Sequence, residues 1–473
     1  MKLKRLALAA ALASSTLVSS SMNGSAQADP GDNATNGRGL ANPTVQPVGF
    51  LGTAGPTQYV TACDTGGCDT GDCHSGILGD GGDCGDGGHC DLSRHGTGIF
   101  NGQFLNADAG DEPFSLLPEV MGYQLGGWVQ LGYHSQNLPL FNSRKHDFQL
   151  HQAWLYAEKA VDGSCGLDIG GRIDYVYGTD GPDTQAFGID NTHWDNQWDN
   201  GGDYGHALPQ VYGEVAYGDW TAKVGHSFTI IGYEVVAAPE NFFYSHAYTM
   251  YNSEPFTHTG ALLSYRQSKF VEFYGGYVMG WDSGFEDNGD AILGGSSVDW
   301  TDDINVTSTF VAGRFADNSS GDERGIMSST VAQVQLTDVL SYVFQTDYLD
   351  TEDNAGNTVR ETFGINQYLF RDIGDSMSLG LRAEWWNVQA DSAGFYGENA
   401  MVTGIPAEDD FDIYAITLGL NFRPHSNLVV RPEIRWDYLY GVSDDFDAAD
   451  IQFLDDEMDD QQTTFGIDTI LLF

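Results

Sequence analysis

The sequence of 473 residues has few positive charges: 20 Lys and Arg stand against 67 Asp and Glu, for a formal net charge of −47. Such a chain is unsuited to binding nucleic acid or an anionic lipid surface. After residue 28 it lacks any apolar run of the roughly 20 residues that a transmembrane helix needs. It also lacks a nucleophile elbow, an HExxH motif and a P-loop. The neighbours His226 and Ser227 cannot form a catalytic pair on one strand, because adjacent strand residues point to opposite faces. The sequence therefore predicts neither a nucleic-acid-binding protein, nor a helical membrane protein, nor an enzyme.

The first 28 residues predict a secretory signal peptide. Residues 2–5 carry three cations, residues 6–18 are apolar, and residues 26–28 read Ala-Gln-Ala, a small-x-small cleavage site. The apolar stretch is too short to span a bilayer as an anchor. We therefore expect an exported protein whose mature chain begins at Asp29.

Residues 29–112 are rich in Gly, Asp, Asn and Thr and poor in bulky apolar residues. They cannot bury much core, so we interpret them as a separate appendage, either disordered or stapled by disulfides. The spacing of its first three cysteines differs from the CxxC pairs of zinc sites, and export favours oxidation. Zinc stays open because His74 and His89 lie nearby, and the sequence cannot fix the pairing. The disulfide candidates are Cys63, Cys68, Cys73, Cys84, Cys90 and Cys165.

From about Gly122 onward, apolar and polar residues alternate with period two in segments of about ten residues. The clearest segment is Leu428–Tyr438, in which the even positions are apolar and the odd positions after Val429 are all charged. Four ionisable groups on one strand face need water or one another, and the water-filled lumen of a barrel supplies both. This pattern is typical of outer-membrane β-barrels.

Short and long connections alternate along residues 113–473, as they do between the strands of outer-membrane barrels. They predict an all-β, antiparallel, up-and-down transmembrane barrel of about 16 strands, with 14 or 18 left open. The count requires a strand at Ala291–Trp300, and one long connection is predicted at Ala316–Ser328. An even count puts both barrel ends, and so the appendage, on the periplasmic side. Phe473 closes an alternating strand, which indicates the assembly signal read by the barrel assembly machinery.

The connection Thr229–Thr257 differs from the other long ones because it is aromatic and only weakly acidic. We expect it to fold into the lumen and narrow the channel, with acids and arginines facing one another in a transverse field. The alternative, that each charge is paired in a structural bridge, stays open. The candidate pore-lining residues are Glu234, Glu240, Glu254, Arg172, Arg382, Glu384, Arg431, Glu433, Arg435 and Asp437.

Three segments resemble the OmpL-like family of β-barrel porins. They are Glu240-Asn-Phe-Phe-Tyr-Ser followed by Glu254-Pro-Phe-Thr-His-Thr-Gly260, then Arg431-Pro-Glu433-Ile-Arg435-Trp-Asp437, and Gly126-Gly-Trp128. The likeness covers residues 122–473 and leaves out the cysteine-rich appendage. It implies an outer-membrane channel without naming a solute.

We therefore expect a porin-like channel in the bacterial outer membrane for passive diffusion of small polar solutes or ions. A weak preference for cations follows from the acidic chain and the mixed lumen charges, whereas an anion channel would need a ladder of Lys and Arg. The expected partners are membrane lipid and further copies of the chain. No cofactor is expected beyond weak Ca²⁺ binding at the acidic loops. The alternative is a structural or adhesive envelope barrel crosslinked through its cysteines.

Overall fold

The computed structural model describes part of the chain. The predicted signal peptide and the appendage, with five of the six candidate cysteines and their pairing, lie outside the described residues. The described residues are 115, 117–188, 192–200, 202–286, 289–318, 321–389, 392, 402–403, 410–441, 452–453, 456–457 and 460–473.

Sixteen antiparallel strands close into a single barrel, in which each strand pairs with its neighbours along the chain. They are β1 (Gln124–His134), β2 (Gln149–Lys159), β3 (Asp168–Gly178), β4 (Gly205–Tyr217), β5 (Trp220–Phe228), β6 (Thr257–Ser268), β7 (Val271–Val278), β8 (Asp290–Thr301), β9 (Ile304–Asn318), β10 (Gly321–Thr337), β11 (Leu340–Glu352), β12 (Thr358–Asp372), β13 (Met377–Val388), β15 (Phe411–His425), β16 (Leu428–Tyr440) and β19 (Gln461–Leu472).

The remaining elements lie in the connections. A small sheet contains β14 (Val402–Thr403), β17 (Gln452–Phe453) and β18 (Asp456–Glu457). The helical turns are η1 (Gly163–Cys165), α1 (Asp180–Thr184), η2 (Ala238–Glu240) and α2 (Tyr248–Asn252). Among the described residues, no helix has the length and apolar character needed to cross a membrane.

The barrel closes where β1 pairs with β19, in a register that sets Trp128 opposite Leu472. Beyond that strand, Phe473 exchanges two backbone hydrogen bonds of 2.9 Å with Gly127. Closure leaves no unpaired edge in the barrel sheet, as a wall surrounded by lipid requires.

The alternation read from the sequence matches the two faces of the wall. On β16, Ile434 faces outward and is 50% exposed, whereas Arg435 and Asp437 face the lumen and are fully buried. Similar outward aliphatic residues surround the barrel and form the surface expected to meet lipid. Examples are Leu131, Leu155, Ile173, Leu381 and Ile416.

The structure confirms the count of sixteen strands, including the inferred strand at Ala291–Trp300, which is β8. The predicted long connection Ala316–Ser328 is wrong, because β9 continues to Asn318 and β10 begins at Gly321. Here two strands extend beyond the apolar belt as a paired hairpin. Above the belt a strand has no lipid to face, so the period-two signal is lost although the backbone pairing continues.

Candidate functional site

Residues 229–256, which connect β5 to β6, fold into the barrel and are called the inward loop below. Of its side chains, Tyr248 and Thr249 are fully buried and Ser245 and Ala247 are 1% exposed. Pro239, in η2, fixes the chain direction early in the loop. The expectation that this aromatic segment lies inside the lumen is confirmed.

Two carboxylates on the wall hold the loop by its backbone N–H groups. Glu384 of β13 accepts from the nitrogens of Tyr248 and Thr249, at 2.8 and 2.9 Å. Glu433 of β16 accepts from the nitrogen of Tyr244 at 2.9 Å and from that of the next residue at 3.2 Å. Charge-assisted hydrogen bonds of this kind are stronger than neutral ones, so the middle of the loop is firmly anchored.

Two arginines of β16 hold the loop by its carbonyl groups. Arg431 donates to the oxygens of Ala238 and Asn241, at 2.9 and 2.7 Å. Arg435 donates to the oxygen of His246 at 2.6 Å. Both guanidinium groups are also paired on the wall itself, Arg431 with Asp468 and Arg435 with Asp437.

The remaining buried arginine joins the wall to a side chain of the loop. Arg382 of β13 forms an ion pair of 2.7 Å with Glu234 and donates to the oxygen of Ser245. The second oxygen of Glu234 accepts from the nitrogen of Ala247 at 2.7 Å. Burial alone would raise the pKa of Glu234, but Arg382 and His246 hold it at about 2, so the carboxylate is ionised.

Glycines in the lumen wall make room for the loop's aromatic rings. A Cβ placed on Gly380 of β13 would lie within 2.3 Å of the Phe242 ring, and one on Gly132 of β1 within 2.4 Å of the Tyr244 hydroxyl. The same hydroxyl lies 2.6 Å from Nε2 of His151. Glycine at lumen-facing strand positions is a signal that the sequence analysis did not use.

Of the ten predicted pore-lining residues, eight are buried in the contacts of the loop with one side of the wall. The paired alternative describes five of these eight, Glu234, Arg382, Arg431, Arg435 and Asp437, whereas Glu254, Glu384 and Glu433 are buried without an ion pair among the described residues. The other two of the ten, Arg172 and Glu240, lie apart from these contacts, and Arg172 keeps 11% of its side chain accessible while Glu240 is exposed.

Burial inside the barrel raises the pKa of Glu240, which Arg172 lowers and the carboxylates of Asp174 and Glu158 raise further. Nε of Arg172 lies 2.6 Å from Oδ1 of Asp174, and its NH1 lies 3.1 Å from Oε2 of Glu158. The guanidinium also lies 4.6 Å from the centre of the Tyr156 ring. Its positive charge is thus largely neutralised by the neighbouring carboxylates.

Sequence reasoning missed two residues of opposite charge near Arg172. Glu214 of β4 lies directly opposite Lys223 of β5 in the strand register. The ammonium group of Lys223 lies 4.2 Å from the centre of the Tyr212 ring and is largely buried. The turn at Gly218-Asp219 joins β4 to β5, and counting outward from such a short turn in the sequence would have paired Glu214 with Lys223.

Cys165, in η1 at a short turn, is exposed with a free thiol among the described residues. Its proposed disulfide partners lie outside those residues, so that pairing stays a prediction.

Comparison with known proteins gives a family match. The family model described as "Putative beta-barrel porin-2, OmpL-like" matches residues 122–473. No curated protein matches the chain.

Solved structures share the fold at low sequence identity. OmpT of Vibrio cholerae, in a trimer form, aligns with a TM-score of 0.50 at 12% identity, covering 74% of this chain and 99% of its own. An anion-selective porin from Comamonas acidovorans aligns with a TM-score of 0.47 at 11% identity, covering 74% and 99%. The outer-membrane channel DcaP of Acinetobacter baumannii aligns with a TM-score of 0.46 at 11% identity, covering 77% and 100%.

Proposed function

Because the chain belongs to the OmpL-like family of β-barrel porins, we propose that it is an outer-membrane channel for passive diffusion of small polar solutes or ions. The observation that carries this proposal is the off-centre position of the inward loop. The loop is anchored on β13 and β16 and packs Ile230 and Ile231 against an apolar cluster of β6–β11, and it leaves partly accessible polar groups on strands between β2 and β8.

The proposed pathway runs between the exposed edge of the loop and these strands. The lumen-facing residues Glu214, Thr221 and Ser297 are partly exposed there. Glu158 and Arg172 keep 12% and 11% of their side chains accessible. These hydroxyl, carboxylate and guanidinium groups suit hydrated solutes.

A weak preference for cations is part of the proposal. Carboxylates outnumber cations along the pathway, since Arg172 is paired with two acids and Lys223 lies against a tyrosine ring. Among the described residues, the Glu240 carboxylate has no ion pair and no hydrogen bond, so its charge is presented to the pathway. A permeating cation gains this attraction without displacing an arginine or lysine.

The test is single-channel conductance of the refolded mature protein in a planar bilayer, with the reversal potential measured under a salt gradient. Stable ohmic steps and a reversal potential shifted toward the cation value are expected. If a folded, heat-modifiable, β-rich protein gives no steps, the channel proposal fails and a structural or adhesive envelope barrel replaces it.

The same proposal places residues 29–112 in the periplasm and allows the barrel to associate with copies of itself. Non-reducing mass mapping of the exported protein would test the pairing of Cys165 with the appendage. Crosslinking in the membrane would test self-association. Neither result changes the expected conductance of a single barrel.

A further inference from the structure

Near its C-terminal end, the inward loop meets the wall through two buried carboxyl groups. Glu254 of the loop and Asp347 of β11 are 5% and 1% exposed. Nε2 of Gln345 lies 2.6 Å from Oε1 of Glu254 and 2.6 Å from Oδ2 of Asp347. One amide donor therefore serves both carboxyl groups.

The other groups around this pair do not neutralise it. The carboxylates of Glu384 on β13 and Glu234 on the loop add negative charge, and Tyr368 of β12 is a neutral neighbour. On β10, Oγ of Ser329 is buried beside Asp347.

The buried arginines of β13 and β16, Arg382 and Arg435, form their hydrogen bonds with other groups. Within the described part of the chain, Arg382 donates hydrogen bonds to Glu234, Ser245 and Thr417. Arg435 donates to Asp437 and to the carbonyl oxygen of His246. Neither arginine bonds to Glu254 or Asp347.

Two ionised carboxylates in contact and away from water would repel each other strongly. A proton held between them removes one charge and supplies a second donor, as in other buried carboxyl pairs. Burial and the proximity of Asp347 hold the pKa of Glu254 well above its usual range.

We infer that Glu254 and Asp347 share one proton, and that this proton fastens the C-terminal end of the inward loop to the barrel wall. The next residue back, Ser253, accepts a hydrogen bond of 2.9 Å from Nε1 of Trp386 and lies 2.8 Å from the Thr362 hydroxyl. Loss of the proton leaves two like charges under this end of the loop and loosens these contacts.

The sign of the pH dependence follows from where the proton is bound. The seated loop holds the proton and the released loop loses it, so seating is complete at acid pH and weakens as the pH rises from the ordinary pKa of a glutamate to the raised pKa of Glu254. Because the seated loop holds one proton that the released loop does not, the opening constant increases about tenfold for each pH unit between the ordinary glutamate pKa and the raised pKa, and it levels off above the raised pKa. If the proposed channel function holds, alkaline pH also changes the width of the pathway.

A bound metal ion is the competing explanation. Within the described residues, no group of three or more His, Cys, Asp or Glu side chains could hold one. The amide nitrogen of Gln345 also points at both carboxyl groups, where a cation would need an oxygen ligand.

Hydrogen–deuterium exchange of the refolded barrel tests the inference without depending on conduction. Peptides covering residues 248–256 would be followed from about pH 5 to about pH 9, with rates corrected for intrinsic exchange, because this range lies above the ordinary glutamate pKa. In the wild-type protein, protection should fall at the alkaline end. In Glu254→Gln, whose amide keeps a donor beside Asp347, protection should stay constant.

Asp347→Asn provides a second variant with the same expected result, should the first fail to fold. Glu240→Gln is the matched control, since it removes an exposed carboxylate of the same loop and should keep the wild-type pH dependence. The inference is overturned if wild-type protection is flat, or if Glu254→Gln follows the wild-type curve. It is also overturned if added Ca²⁺ or Na⁺ restores protection at alkaline pH. If the exchange result is as expected but no channel steps are detected, only the proposed channel function is contradicted.

Discussion

Arg382 on the barrel wall and Glu234 on the inward loop form an ion pair of 2.7 Å, with side chains that are 0% and 5% exposed. The pair joins two segments 148 residues apart in the chain. Arg382 also donates to the oxygen of Ser245, so one guanidinium group fixes both arms of the loop.

Replacing Arg382 with methionine should destabilise the barrel by about 3–5 kcal/mol, because the buried carboxylate of Glu234 loses its arginine partner. Urea unfolding of the refolded protein would measure this loss. The double variant Arg382→Met/Glu234→Met should recover part of it. Arg324→Met is the matched control, since the pair of Arg324 with Glu352 is about half exposed and should contribute little. Equal losses of stability in Arg382→Met and Arg324→Met would contradict a structural role for the buried pair.

Glu240 should control ion preference more than any buried acid of the loop. Glu240→Gln should move the reversal potential toward the value of a non-selective channel, and Glu240→Lys should move it further in the same direction. A unit charge about 4 Å from a permeating ion in water contributes about 1 kcal/mol, a factor of about 5 in the permeability ratio. Asp353→Gln, which removes a partly exposed acid in the turn after β11, is the control and should shift the potential less. An unchanged potential in Glu240→Lys would show that the pathway lies elsewhere.

Gly232 has a φ of +89°, and a Cβ there would lie within 1.9 Å of Oε2 of Glu254. Gly232→Ala should therefore displace the inward loop as well as strain the backbone. Gly356, with a φ of +82° and no atom within 4 Å of its Cβ position, separates the two effects. Gly356→Ala should cost about 1–2 kcal/mol in the free energy of unfolding, the cost of the left-handed conformation. Gly232→Ala should cost more and should lower the exchange protection of the loop. Equal costs with unchanged protection would refute the packing argument.

Asp282, in the connection after β7, accepts backbone hydrogen bonds of 2.7 and 2.8 Å from Phe256 and Thr257, where the inward loop enters β6. Burial raises the pKa of its carboxyl from 3.8 to about 7, against the lowering effect of these bonds. Its contribution to stability is fully present below about pH 4 and is lost as the pH rises through about 7, a difference of about 4 kcal/mol.

Unfolding midpoints measured across this pH range would test the effect of Asp282. Wild-type stability should fall more steeply with pH than that of Asp282→Asn. Asp353→Asn, which removes a partly exposed carboxylate, should follow the wild-type slope. Parallel curves for the wild-type protein and Asp282→Asn would contradict the assignment.

The strand pattern could be predicted because lipid and lumen impose opposite demands on alternate residues. This rule identified Leu428–Tyr438, whereas the strand that became β8 was inferred from the even strand count that alternating short and long connections require. It failed between Ala316 and Ser328, where paired strands extend beyond the apolar belt and alternation is no longer required.

The inward loop could be predicted from its aromatic composition, but the side of the lumen that it seals could not. Its position depends on contacts between main-chain atoms and residues more than 100 positions away, such as those of Glu384 with Tyr248 and Thr249. Main-chain atoms are the same at every residue, so they leave no trace in the sequence. The separation of Glu240 from the other acids was therefore visible only in the structure.

The anchoring of the loop through its main chain also bears on how the protein can change. The loop is held through main-chain atoms, and most of its side chains take no part in these contacts. The wall residues that hold it are Glu384, Glu433, Arg431 and Arg435. The identity of the residue at the accessible edge, now Glu240, is thus separated from the forces that position it. Substitutions there can tune what passes through the barrel while assembly is preserved, which makes this edge a natural site for evolutionary divergence and for pore engineering.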